Sequence, residues 1–297
     1  MRALLLLPLL AAAACGAPYA MPSVTGALGS KPLVTVPTAA PDPEPHVEVL
    51  HEGDGPVVEP GQVVVTHVES RLWKSGKPWL NTWDIHHPTT AILGGKQLAK
   101  TWDDALVGKH AGSRVMLVAP AAKAFSPSGL APVGAEPSDT MVLVFDIIGG
   151  YDPKAMVKVA PGTTAGPGMP KLNGVASLLS DFPAKPPSSL TVRVLRRGTG
   201  PVVRPGSTIV TQYVTSQWGV VRPFDASYMR GGPTGFIMRK DSALPGWLEG
   251  LNGIPAGSRV LLVVPPAYAK GFKGTSGGLF APRTGTAAHV IDILDVS

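Results

Sequence analysis

With 297 residues, 44% of them hydrophobic, and a mean hydropathy of +0.18, the chain can bury about two domain cores, which excludes wholesale disorder. Charged residues are only 15%, and 35 Gly with 32 Pro make the chain turn-rich; its single Cys excludes an intramolecular disulfide, a four-Cys zinc site and a Cys-held iron–sulfur cluster. The net charge of +6 is scattered, with no basic run longer than a pair such as Arg196-Arg197, so no nucleic-acid partner is expected.

Residues 1–15 read as an export signal. Arg2 precedes an apolar run over 4–14, too short to cross a bilayer as a helix of about 20 residues. Ala12-Ala13-Ala14-Cys15-Gly16 resembles the bacterial lipobox, in which the Cys is acylated. That resemblance implies an exported protein, lipid-anchored through Cys15 on the outer face of the cell membrane. The alternative is an ordinary secretory signal cut near Ala14 or Ala17, with Cys15 incidental. Residues 16–45 are rich in Pro and Gly, and Pro41, Pro43 and Pro45 favour an extended path, so a tether is expected.

The rest of the chain repeats. Gly53-Asp54-Gly55-Pro56-Val57-Val58-Glu59-Pro60-Gly61 recurs as Gly198-Thr199-Gly200-Pro201-Val202-Val203-Arg204-Pro205-Gly206, at an offset of 145. Trp102 and Trp247 keep that offset, as do Ala111-Gly112-Ser113-Arg114-Val115 and Ala256-Gly257-Ser258-Arg259-Val260; Asp146 and Asp292 slip by one. A constant offset over this length means duplication. Two units follow, 46–150 and 188–297, joined by a Pro/Gly-rich linker over 151–187. β-Branched runs at 63–68 and 208–213 predict strands, as do 114–118, 259–264, 141–148 and 288–296. Leu98, Trp102 and Leu106 share one helical face; Leu244, Leu248 and Leu251 do so beside Trp247. The predicted class is α+β: two tandem units, each an antiparallel sheet wrapped on a short helix.

The Gly-Asp-Gly…Pro-Gly opening, Phe224-Asp225 after the second strand, Gly246-Trp247 on the helix and Val144-Phe145-Asp146 in the last strand are similar to the FKBP-type (FK506-binding) peptidyl-prolyl isomerase domain, in both units. The resemblance implies an apolar pocket floored by the helix Trp. In unit two it implies Tyr213, Phe224, Asp225 and Trp247 as catalytic residues, and Phe236, Leu244, Phe272 and Ile291 as substrate-binding ones. The family's loop Tyr falls at Lys270, with Phe272 as substitute, and its late-strand Phe falls at Ile291. Unit one would form a second pocket from Trp83-Asp84, Trp102, Phe125 and Phe145. It has Val68 where the Tyr belongs and Ala99 for the aliphatic wall, so unit two is the expected working copy. The resemblance implies no cofactor and no metal. Its partners would be proline-containing peptides or unfolded exported proteins, met by a monomer.

An X-Pro bond rotates slowly without a catalyst, and no bond needs to break, so an apolar box that favours the twisted amide suffices. This reading requires a hollow open to a prolyl ring. Rival signals are weaker. Asp84-Ile85-His86-His87 reads as a solvated loop rather than a metal site. Gly274-Thr275-Ser276-Gly277-Gly278 lacks the strand and helix that a nucleophile elbow needs. Two other functions stay open: a non-catalytic proline-peptide-binding lipoprotein, and a structural spacer.

Overall fold

Strands form where β-branched residues can pack on both sides of the backbone, and here both sides of each sheet are covered. The computed structural model describes residues 19–95, 98–125, 135–173, 178–269 and 285–297. Cys15 and the signal segment, Lys270, Phe272 and the 274–278 loop lie outside the described residues. Among the described residues no helix is long and apolar enough to cross a membrane.

The chain opens with a small hairpin, β1 (Ser23–Thr25) and β2 (Leu33–Thr35). Unit one follows with β3 (His46–His51), β4 (Val63–Leu72), β5 (Pro78–Asn81), β6 (Thr89–Ile92), α1 (Lys100–Leu106), β7 (Arg114–Pro120), α2 (Ala121–Ala124) and β8 (Thr140–Tyr151). A second hairpin, β9 (Lys171–Asn173) and β10 (Leu178–Ser180), precedes unit two. Unit two contains β11 (Thr191–Arg196), β12 (Thr208–Gln217), β13 (Asp225–Ala226), β14 (Thr234–Ile237), α3 (Pro245–Gly250), β15 (Ser258–Val264) and β16 (Ala287–Val296).

Both sheets are antiparallel and share one topology. Unit one runs β3-β7-β8-β4-β5 with β6 also on β4; unit two runs β11-β15-β16-β12-β13 with β14 also on β12. Register shifts recur at matching places, between Val65 and Thr66 and between Val210 and Thr211. The expected α+β architecture is therefore present twice. The repeated glycines have a steric reason: a Cβ on Gly53 or Gly198 would strike the carbonyl of Ala111 or Ala256. Gly53 N–H and Gly198 N–H each donate to a Ser hydroxyl, Ser113 and Ser258, at 2.9 Å.

Alternation along the strands builds two cores per unit. In unit one Val115, Leu117, Leu143 and Phe145 face α1, while Met116, Val118, Val142 and Val144 face the first hairpin. In unit two Val260, Leu262, Ile291 and Ile293 face α3, while Leu261, Ala288 and Val290 face the second hairpin. Residues 19–45 are thus no free tether, in contrast to the sequence expectation. Val34 is buried on the sheet, and Trp73 Nε1 donates to Ala39 O at 3.1 Å. A buried ion pair clasps the hairpin: Arg114 Nε lies 2.6 Å from Asp146, its guanidinium donates to the carbonyls of Gly26, Ala27 and Ser30, and Asp146 accepts from Gly29 N–H. Unit two repeats the pair as Arg259–Asp292 at 2.6 Å. The linker segment likewise packs on its own unit: Leu179 is fully buried and Trp218 Nε1 donates to Pro183 O at 2.8 Å.

The two units touch. Tyr151 donates its hydroxyl to Asp295 at 2.8 Å, and Gln212 Nε2 donates to Pro153 O at 3.1 Å. The loop before β6 meets β14: a Cβ on Gly235 would press on Val65 and Pro88, and one on Gly232 on Pro153 and Val63. His86 and His87 lie in this contact, half-buried, and not in the solvated loop the sequence suggested.

Candidate active site

In unit two the floor residue rides on a helix kept short by its ends. Pro245 occupies the start, where its missing N–H is not needed, and Gly250 closes it after six residues. Trp247 is thereby held against β15 and β16. Its ring meets Tyr213 at 5.5 Å and 81°, and Phe236 at 5.3 Å and 73°; Tyr213 meets Phe236 at 5.9 Å and 61°. These edge-to-face contacts suit the charge distribution of aromatic rings. Leu244 and Ile291 pack in the same cluster, Ile291 standing opposite Tyr213 across the β12–β16 ladder.

A polar edge adjoins this box. Tyr213 donates to Asp225 Oδ2 at 3.1 Å, Arg230 Nη1 donates to Asp225 Oδ1 at 2.6 Å, and Arg230 Nη2 donates to the Tyr213 hydroxyl. The guanidinium carbon lies 5.7 Å from the Tyr213 ring centroid, within cation–π range. Burial pushes the Asp225 carboxyl up, to about 7, while a hydrogen bond from the Ala226 N–H pulls the other way. Beneath the box, Trp247 Nε1 donates to His289 Nδ1 at 3.3 Å, and Thr215 Oγ1 lies 2.9 Å from the same nitrogen. Burial pushes His289 down to about 3, so its imidazole is neutral and Nδ1 accepts.

The structure thus brings together Tyr213, Asp225, Phe236, Leu244, Trp247 and Ile291. Phe224 stands apart, half-buried on the chain entering β13, its N–H bonded to Thr215 O at 3.0 Å. Arg230 and His289 escaped sequence reasoning. Arg230 follows Asp225 by five residues, within one short turn, and that spacing was the available signal. His289 is an imidazole inside an apolar strand.

Unit one differs. The offset of 145 places Trp79-Leu80, not Trp83-Asp84, opposite Phe224-Asp225, and the ladders agree: Ser70 faces Leu80 as Thr215 faces Asp225. The sequence expectation for Trp83-Asp84 is therefore corrected. Trp83 stacks on His67 at 4.7 Å and donates to Gly29 O at 3.2 Å; Asp84 is 57% exposed and paired with Lys31 at 2.6 Å. Spelling misled the alignment, because a Trp-Asp pair looks like Phe-Asp wherever it falls. Unit one has no carboxylate at the position of Asp225, and Val68 in place of Tyr213. Trp102 meets Phe145 at 4.8 Å, but its Nε1 donates to Ala124 O at 2.8 Å, and Phe125 packs edge-on to Trp79 at 4.8 Å.

The residues of the expected hollow in unit two are deeply buried. Tyr213 is 1% exposed, and Trp247 and Phe236 are each 2% exposed.

The sequence profile described as FKBP-type peptidyl-prolyl cis-trans isomerase matches residues 55–148 and again 200–293. An FK506-binding protein of Streptomyces anulatus is 35% identical over 117 residues, which is 39% of this chain and 94% of that protein. The FKBP-type isomerase FkpA of Escherichia coli (strain K12) is 35% identical over 109 residues, 37% of this chain and 38% of FkpA. The crystal structure of Escherichia coli FkpA aligns at 34% identity over 37% of this chain and 49% of that chain, with a TM-score of 0.32. With two copies of the profile filling most of its length, the chain belongs to the FKBP-type peptidyl-prolyl cis-trans isomerase family.

Proposed function

We propose that unit two is the catalytic copy, and that it turns X-Pro bonds in exported proteins. One observation carries this: Tyr213, Asp225, Phe236 and Trp247 form one connected aromatic and polar cluster there, while unit one has Val68, Leu80 and Ala91 at three of those positions. The amide C–N bond resists rotation by about 18–20 kcal/mol because planar resonance separates charge between nitrogen and oxygen. Twisting the bond reduces that separation. A water-poor box therefore destabilises the planar form relative to the twisted one, without nucleophile or proton transfer. Trp247, Phe236 and Leu244 supply the box for the prolyl ring. Asp225, held by Tyr213 and Arg230, supplies a fixed polar group at its edge. The N–H of Leu244 donates to no backbone carbonyl among the described residues and is placed to hold a substrate carbonyl.

The test is a protease-coupled proline-peptide assay on the full chain. Trp247→Ala and Asp225→Ala each lower turnover, and Trp102→Ala does not; unchanged turnover in both unit-two variants removes the assignment. A second reading, a binding module without turnover, is favoured by the deep burial of Tyr213, Phe236 and Trp247. It predicts peptide binding with no acceleration of cis/trans exchange by NMR. We further propose that Cys15 carries a lipid that holds the exported chain on the outer face of the membrane; Cys15→Ser then shifts the protein from the membrane fraction to the soluble one.

A further inference from the structure

Three positions that touch in unit two change partners together between the repeats. Thr215 faces His289 across the β12–β16 ladder as Ser70 faces Leu143 across the β4–β8 ladder, and Trp247 stands at the repeat place of Trp102. In unit one these groups go separate ways. Leu80 N–H donates to Ser70 Oγ at 3.0 Å, Trp102 Nε1 donates to Ala124 O at 2.8 Å, and Leu143 packs as hydrocarbon. In unit two all three meet at one atom: Trp247 Nε1 donates to His289 Nδ1 at 3.3 Å, and Thr215 Oγ1 lies 2.9 Å from the same nitrogen.

An indole N–H can only donate, so Nδ1 accepts and the proton of the neutral imidazole sits on Nε2. His289 is fully buried, and its Nε2 has no hydrogen-bond partner among the described residues. A buried donor left alone is unfavourable. Leu143 shows that this place in the sheet accepts hydrocarbon, so the imidazole is not needed to fill it. What the imidazole adds is the bond at Nδ1. Tyr213, Phe236 and His289 meet the indole edge-on, with centroids 5.5, 5.3 and 5.8 Å away. Such contacts hold a ring in place; a hydrogen bond, which weakens steeply when bent, also fixes which edge faces the strand. Two residues beyond His289 is Ile291, opposite Tyr213 on β12, and Thr215 faces Asp225 across the β12–β13 ladder. The bond therefore refers the floor to the same strands that carry the wall and the polar edge.

We infer that His289 is a positioning residue of the unit-two box: through Nδ1 it sets the turn of the Trp247 indole that receives the prolyl ring. The inference rests on the assignment of catalysis to unit two. Unit one, with Leu143 at this place, lets its indole turn to α2 instead.

The experiment begins with NMR of the nitrogen-labelled full chain. In the wild-type protein His289 Nδ1 resonates as an unprotonated nitrogen and Nε2 as a protonated one. The Trp247 indole N–H, assigned as the peak missing from Trp247→Phe, lies in the hydrogen-bonded range. His289→Leu moves that peak upfield and raises KM for a proline peptide about tenfold with kcat held, roughly the worth of one hydrogen bond. His289→Asn, which offers an amide oxygen near the place of Nδ1, restores the peak and most of the KM. A residue serving the fold alone would lower the active fraction, and so the apparent kcat, and leave KM unmoved. A proton on Nδ1, an indole peak unmoved in His289→Leu, or a wild-type KM in that variant overturns the inference. Where His289→Leu does not fold, the wild-type nitrogens and His289→Asn decide: a proton on Nδ1, or an upfield indole peak in His289→Asn, overturns it. If Trp247→Ala keeps full turnover, the catalytic assignment fails instead; the nitrogen spectra need no turnover and still decide whether His289 holds the indole.

Discussion

Unit one and unit two are built on the same strands, bulges and ion pair, yet only one keeps a connected polar and aromatic cluster. In unit two the tryptophan indole turns inward to His289; in unit one it turns to the carbonyl of Ala124, and Leu143 stands opposite Leu117 as His289 stands opposite Leu262. Tyr213 and Asp225 bond each other, while Val68 and Leu80 pack as hydrocarbon. The difference teaches that the scaffold and the site are maintained by separate sets of residues. Glycines 53 and 198, the Arg–Asp pairs and the outward strand faces hold the fold in both. A few inward positions decide whether chemistry is available.

The sharpest way to break the comparison is at the floor. Trp247→Ala and Trp102→Ala each cost about 3–5 kcal/mol of stability by denaturant titration, as large aromatic truncations in a core do, but only Trp247→Ala removes turnover. Equal loss of turnover from both would make unit one a working copy. Next come the ion pairs. Asp146→Asn leaves Arg114 buried without its charge partner and releases Gly29, costing about 3–5 kcal/mol in urea unfolding; Asp292→Asn gives a similar loss in unit two.

Acid provides a third test, since both units hide neutral imidazoles. Burial pushes His67 down to about 4 and His289 down to about 3. Between pH 6.5 and those values the unfolded chain takes a proton that the folded chain refuses, so stability falls as pH falls. At pH 4 the His289 contribution is about 3 kcal/mol, and His289→Leu flattens the acid limb of a stability–pH curve measured by urea titration. The smallest effect is Trp83→Phe, which removes only the bond to Gly29 O. It costs about 1 kcal/mol or less in thermal unfolding and leaves turnover unchanged.

Much of the fold was legible because duplication repeats its constraints: glycine where backbones touch, β-branched runs where both faces are covered. The two hairpins were missed although they repeat as well, Met21-Pro22-Ser23-Val24-Thr25-Gly26 returning as Met169-Pro170-Lys171-Leu172-Asn173-Gly174. Their Pro and Gly content mimics a tether, and their burial depends on a sheet face distant in the chain. The box was legible at Tyr213, Asp225 and Trp247, whose residue types are distinctive at those places. Trp83 was misplaced because position along a strand edge depends on the turn before it. His289 acts through a partner 42 residues away, which no local pattern announces, whereas Arg230 is signalled only by its five-residue spacing from Asp225.

The loop before β6 and the loop before β14 are equivalent by the repeat, so unit meets unit through corresponding surfaces, as subunits do across a two-fold axis. In a homodimer of single units both sides would carry identical residues, and each contact would occur twice. Joining the copies in one polypeptide frees each side to change alone. The contact of His87 with Phe236 is such a change, since unit one carries Ala91 where unit two carries Phe236.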